Sequence, residues 1–150
     1  MAHTFTHLLT HIVFSTKDRE QLFAPEIRDR LYPYLGGIFR ELGAVMIERN
    51  AVKDHIHILA SLPQDKPLSD IMRLLKTNSS KWINETFPEH GSFAWQIGYG
   101  AFVVSESHRD DVCKYIIAQD QHNLTMTFEQ EFLAFLKKHK IEYDPEKLWK

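Results

Sequence analysis

The sequence predicts a single α+β domain over residues 1–150: an antiparallel sheet with helices packed mainly on one face. Three observations carry this. The predicted elements run strand, helix, strand, strand, helix, strand, helix, helix, and the two middle strands are joined by a turn too short for a parallel crossover. The strand at 55–62 alternates, with His55, His57, Leu59 and Ser61 on one side and Ile56, Ile58, Ala60 and Leu62 on the other, so one face is wholly apolar. Finally, 150 residues with 43% hydrophobic and 25% charged residues have the size and balance of one globular unit.

Residues 7–16 are dense in β-branched and aromatic side chains and read as the first strand. A helix follows from Pro25, since proline suits a first helical position. Ile27, Leu31, Leu35, Ile38, Phe39 and Leu42 recur along it at helical spacing, and Gly43 stops it. Pro33 and the pair Gly36-Gly37 predict a kink or break inside it. Strands at 44–52 and 55–62 turn near Lys53-Asp54. The helix at Leu68–Thr86 has an apolar stripe of Leu68, Ile71, Leu75, Trp82 and Ile83, opposite Arg73, Lys76, Thr77, Ser80 and Lys81. A strand region spans 93–105, where Gly98 and Gly100 suggest a bulge or a close approach. Ser107 is the expected N-cap of a helix reaching about Asn123, and a last helix covers 127–140.

Composition narrows the class. One cysteine, Cys113, excludes an internal disulfide framework and fits a reducing cytoplasm, where it reads as a small buried hydrophobe. No apolar run approaches the roughly 18 residues of a membrane span, and the N-terminus lacks a signal-peptide pattern, so a cytoplasmic protein with no membrane partner is expected. The formal net charge of -2 does not announce a nucleic-acid binder, so any such binding rests on a local patch or a metal. The unusual count is nine histidines.

His55 and His57 leave one strand face about 6.6 Å apart at the Cα level, close enough for both imidazoles to meet one ion. Taken alone, the pair more often marks two ordinary polar positions, since nine histidines in 150 residues bring such a spacing within reach of chance. Tyr115 and Gln119 share a helix face, with His122 a turn further. A phenol can attack phosphorus and leave again; an amphipathic tyrosine packing its ring on the sheet is the plainer reading. His7 and His11 share a strand face and suit extra metal ligands, a pair that supports such ligands from behind, or plain polar positions on an exposed side, the last being the reading taken. Arg73, Lys76 and Lys81 form either a solvated helix face or a phosphate-contacting stripe. Trp82 reads as core, whereas Trp95 and Tyr99 suit either core packing or base stacking.

Together, His55-Ile56-His57 on a strand and Tyr115-Ile116-Ile117-Ala118-Gln119 on a late helix resemble the single-tyrosine HUH transposases of the insertion-sequence 200/605 family (His, bulky hydrophobe, His). Further matches stand in order: His11-Ile12-Val13-Phe14-Ser15-Thr16-Lys17, Leu74–Trp82, and Trp95-Gln96-Ile97-Gly98-Tyr99-Gly100-Ala101-Phe102. The resemblance covers about residues 5–140. It implies a ferredoxin/RRM-like core and cleavage and rejoining of single-stranded DNA at the hairpin-bearing ends of a mobile element. It also implies Tyr115 as nucleophile leaving a 5′-phosphotyrosine and a free 3′-hydroxyl. The same resemblance makes His55, His57 and Gln119 ligands of a divalent metal, Mg2+ or Mn2+, and implies a homodimer in which one chain's tyrosine helix serves the other's histidines. No ATP-binding Gly-x-x-x-x-Gly-Lys-Ser/Thr motif is present, in keeping with a bond energy stored on tyrosine. The alternatives are a metal-dependent phosphoesterase using water, with Tyr115 a bystander, and a catalytically idle DNA-binding relative.

Overall fold

The computed structural model describes residues 3–150, apart from the side chains at positions 122 and 123. Strands β1 (Leu9–Ser15), β2 (Val45–Val52), β3 (His55–Ser61) and β4 (Gly100–Val103) form one antiparallel sheet in the order β2-β3-β1-β4. Helix α1 (Pro25–Glu41) connects β1 to β2, and α2 (Leu68–Thr86) connects β3 to β4, completing the βαββαβ order. Three helices follow: α3 (Arg109–Ile117), α4 (Gln119–Thr125) and α5 (Phe128–Lys138).

Strand alternation splits the core into two layers. Ile12 and Phe14 of β1 and Ile56, Ile58 and Ala60 of β3 face α1 and α2, meeting Ile27, Leu31, Leu35, Ile38, Phe39, Ile71, Met72, Leu75 and Ile83. The opposite face is covered too. There Val13 and Phe102 meet Phe128, Phe132 and Leu136 of α5, while Leu9, Leu59 and Val104 meet Ile116 of α3. The two long helices thus share one face, as expected, and the short late helices close over the other.

Several elements differ from expectation. Helix α1 runs through Pro33 and the Gly36-Gly37 pair without the expected break. Its buried side chains Ile27, Leu31, Leu35, Ile38 and Phe39 lie on both sides of the proline. At roughly 1.5–3 kcal/mol each they outweigh the ~3 kcal/mol cost of an interior proline. The strand region 93–105 shrinks to β4 and an isolated bridge between Thr16 and Trp95. Gly100 is required there by a side chain: a Cβ at this position would lie 2.8 Å from Phe132 Cε2.

The tyrosine helix also starts and ends elsewhere. Residues 106–108 form a short 3-10 turn, and Ser107 faces Ser105 and His108 instead of capping. α3 stops at Ile117, where Asn50 Nδ2 donates to the carbonyls of Ile116 (3.0 Å) and Ile117 (3.1 Å), and α4 begins at Gln119. Thr127 caps α5 through a reciprocal pair with Gln130. Cys113 is half-buried at the edge of the Leu9 cluster, a less enclosed position than expected. Among the described residues no helix is long and apolar enough to cross a membrane.

Candidate active site

The register Val13↔His57 and Ser15↔His55 places both histidines of β3 on the sheet face away from α1 and α2. His11 of β1 shares that face, and all three rings are buried. Their outer nitrogens are spoken for. His55 Nδ1 lies 2.7 Å from Asp54 Oδ1, and His57 Nδ1 lies 2.9 Å from His11 Nε2. With each Nδ1 engaged, the ring orientations are fixed and both Nε2 atoms turn to one point.

Glu131 of α5 occupies that point. Its Oε1 lies 2.9 Å from His57 Nε2 and 3.5 Å from His55 Nε2. Its Oε2 accepts from Gln119 Nε2 at 3.1 Å and from the hydroxyl of Tyr115. Gln119 Oε1 stands 3.4 Å from His55 Nε2. The ligand atoms of His55, His57 and Glu131 all lie within 4.8 Å of one another. Two imidazole nitrogens and a carboxylate oxygen, with an amide oxygen beside them, fit a divalent cation.

Charges within the cluster are coupled. Burial alone lowers the pKa of His55, but its hydrogen bonds to Asp54 and Glu131 outweigh that and raise it to about 8. Burial, reinforced by His57, lowers His11 to about 3, so this ring stays neutral. Burial alone raises Glu131, yet the hydrogen bonds from His55, His57 and Tyr115 hold its carboxyl well below the usual carboxylate range. Burial, and then the hydrogen bond to Glu131 and its charge, push the Tyr115 phenol above its ordinary value. In this resting arrangement the proton therefore belongs to Tyr115.

The structure thus gathers His55, His57, Tyr115 and Gln119 at one point, although Tyr115 and Gln119 sit on two helices and not on one continuous face. Tyr115 reaches the histidines of its own chain. The side chain of His122 lies outside the described residues. His11 is not the exposed polar position expected of it: the strand's inner face is covered by α5, and Phe135 packs on its ring at 5.2 Å. His7 is exposed and pairs with Glu106 at 2.7 Å.

Glu131 was missed from sequence. Its signal is a carboxylate on the apolar stripe of an amphipathic helix, between Phe128, Phe132 and Phe135 at helical spacing. Such a position is buried, and a buried charge needs partners.

Arg73, Lys76 and Lys81 lie on α2, on the other side of the sheet from Tyr115. Arg73 and Lys81 are exposed. Lys76 Nζ is engaged by the carbonyls of Gln96 (2.9 Å), Ile97 (3.1 Å) and Gly98. Burial lowers its pKa to about 8, while those oxygens favour the charged form. Beside this stripe, α2 and residues 94–99 enclose an open cleft of about 440 Å³. Trp95 is core, donating from its ring nitrogen to Ser79 Oγ at 2.9 Å. Trp82 is half-buried and stacks on Tyr34, and Tyr99 packs under Lys76.

The chain is similar to known proteins in sequence and in fold. The family described as "Transposase IS200 like" matches residues 4–119. The chain is 28% identical over 114 residues to the ISDra2 transposase TnpA of Deinococcus radiodurans, covering 73% of this chain and 81% of that protein. It is 35% identical over 91 residues to the transposase for insertion sequence element IS200 of Salmonella typhimurium, covering 58% of this chain and 57% of the relative. A crystallised protein of Deinococcus radiodurans R1, described as a candidate transposase, superposes with TM-score 0.64 at 25% identity, over 79% of this chain and 95% of that one. A REP-associated tyrosine transposase bound to a REP hairpin superposes with TM-score 0.61 at 13% identity, over 82% of this chain and 72% of that one, a likeness of fold.

Proposed function

Because the chain belongs to the family of IS200-like transposases, we propose that it cleaves and rejoins single-stranded DNA at the hairpin-bearing ends of a mobile element, with Tyr115 as nucleophile. One observation carries this reading: the Tyr115 hydroxyl and the Nε2 atoms of His55 and His57 all converge on the same carboxylate. A nucleophile and a pair of metal-ligating nitrogens at a common point are what phosphoryl transfer needs.

His55 and His57, with oxygen from Gln119, hold a divalent cation in this reading, magnesium or manganese by the family resemblance. When bound, the cation supplies positive charge that polarises a non-bridging phosphate oxygen and offsets the Glu131 carboxylate beside the phenol. The rest falls to the chain. Asp54 and His11 keep the two imidazoles oriented through their Nδ1 atoms. Tyr115 Oη forms the new bond to phosphorus as the bond from phosphorus to the 3′ oxygen breaks. The phenolic proton has its nearest acceptor in Glu131 Oε2 and is balanced by the proton that the leaving 3′ oxygen gains. The 5′-phosphotyrosine keeps the bond energy, so a second 3′-hydroxyl reverses the step without ATP.

The family resemblance also supports a homodimer. The exposed cations Arg73, which lines the cleft, and Lys81, further along α2, are the proposed phosphate contacts.

The test is incubation of the protein and Mg2+ with labelled single-stranded element ends, followed by denaturing electrophoresis. A denaturation-resistant adduct is expected from the native chain. Tyr115→Phe should lose adduct and cleavage while retaining DNA binding. Cleavage without adduct, persisting in Tyr115→Phe, would identify a phosphoesterase using water. Binding with no cleavage in the native chain would identify an idle relative.

A further inference from the structure

We propose that Glu131 is itself a metal ligand, a charged carboxylate added to the imidazoles of His55 and His57 and to the weaker amide oxygen of Gln119. This rests on the reading of His55 and His57 as a metal pair. It adds a ligand from α5, beyond the segment that the family match covers.

Position is the first argument. Glu131 is only 4% exposed, on a helix fixed at its start by the Thr127 and Gln130 capping pair and along its length by Phe128, Phe132 and Leu136. The carboxylate is therefore built in by packing. Its Oε1 stands 2.9 Å from one Nε2 and 3.5 Å from the other, at the point to which both imidazoles turn. Gln119 has a different relation to the same point. Its amide nitrogen donates to Glu131 Oε2 at 3.1 Å, which orients the carboxylate, and its oxygen lies near His55 alone.

Donor chemistry is the second argument. A carboxylate oxygen is charged and hard, whereas an amide oxygen is neutral, and ligand charge sets affinity for divalent cations. A buried charge facing two imidazoles is costly to keep unless something positive is shared there. Hydrogen bonds from histidine, tyrosine and glutamine serve when no cation is bound; a cation serves the same carboxylate directly. The outer bonds of His57 to His11 and of His55 to Asp54 use Nδ1, so they persist in either condition.

The experiment measures Mn2+ binding to chelator-stripped protein without DNA, from the electron paramagnetic resonance signal of free Mn2+. The variants are Glu131→Gln, Gln119→Ala and His57→Ala. Glu131→Gln should weaken Mn2+ binding by about tenfold or more, and Gln119→Ala by less than about threefold. If His57→Ala loses Mn2+ while Glu131→Gln binds like the native chain, a cation sits at the histidines but Glu131 is not its ligand, and this inference falls. If His57→Ala also binds like the native chain, the reading of the histidine pair as a metal site falls with it. A second measurement needs no variant. Infrared difference spectra of the native protein, labelled with 13C at glutamate carboxylates, should show an isotope-shifted carboxylate band on Mn2+ addition. An unchanged glutamate band overturns the assignment even if Glu131→Gln fails to fold.

Discussion

The buried histidines place opposing pH demands on the fold. His11 has a folded pKa of about 3 against an ordinary 6.5, so the unfolded chain binds a proton that the folded chain refuses between those values. Stability therefore falls as pH drops through that range. His55 is the reverse: its folded pKa of about 8 exceeds 6.5, so its contribution is complete below the unfolded value and is lost as pH rises through the folded one. Glu131, held low, contributes above its ordinary 4.5 and loses that contribution as pH falls through its lowered folded value. The three signs agree on greatest stability near pH 6.5 for chelator-treated protein, readable as Tm against pH. His11→Asn should flatten the acid limb. A Tm that stays level between about pH 5 and about pH 9 would contradict the coupling.

At the scale of elements, junctions carry the risk. Asn50 of β2 holds the last carbonyls of α3, so Asn50→Ala should cost about 1 kcal/mol and speed amide exchange across residues 109–118 more than elsewhere. Gly100→Ala forces a Cβ against the Phe132 ring, and a loss of roughly 1–3 kcal/mol in denaturant unfolding is expected. Helix α2 separates two roles among its cations. Arg73→Gln with Lys81→Gln should flatten the salt dependence of single-strand binding by about 0.7 per lost contact, with Tm unchanged. Lys76→Met should lower Tm instead, because it leaves the carbonyls of Gln96, Ile97 and Gly98 without their shared donor.

For the whole molecule, the proposed homodimer implies that one chain's tyrosine helix serves the other's histidines. Within one chain Tyr115 already meets Glu131 beside His55 and His57. Helix α3 buries a single side chain, Ile116, and is separated from α4 at Ala118, so it is the element that the proposed dimer would exchange. Mixing Tyr115→Phe chains with His57→Ala chains should then restore activity, since one heterodimer site regains both residues. If the mixture stays inactive after demonstrated subunit exchange, each chain uses the arrangement seen here.

The sequence by itself determined the α+β class and the placing of His55 and His57 on one strand face, whereas the family resemblance singles out Tyr115 and Gln119. The class and the pair are written in local periodicity: alternation sends His55 and His57 to one face, and helical spacing puts Ile27, Leu31 and Leu35 against the sheet. Only the tertiary structure decided what meets those residues. His57 and Glu131 are 74 positions apart, and His11 and His57 are 46 apart. No local pattern states that α5 folds over the histidine face, burying His11 and delivering a carboxylate. The same holds for Lys76, whose donors are taken by a loop 20 or more residues away, and for the end of α3, set by Asn50 from another strand. A period encodes which face a side chain leaves; which partner covers that face depends on packing between segments distant in the chain.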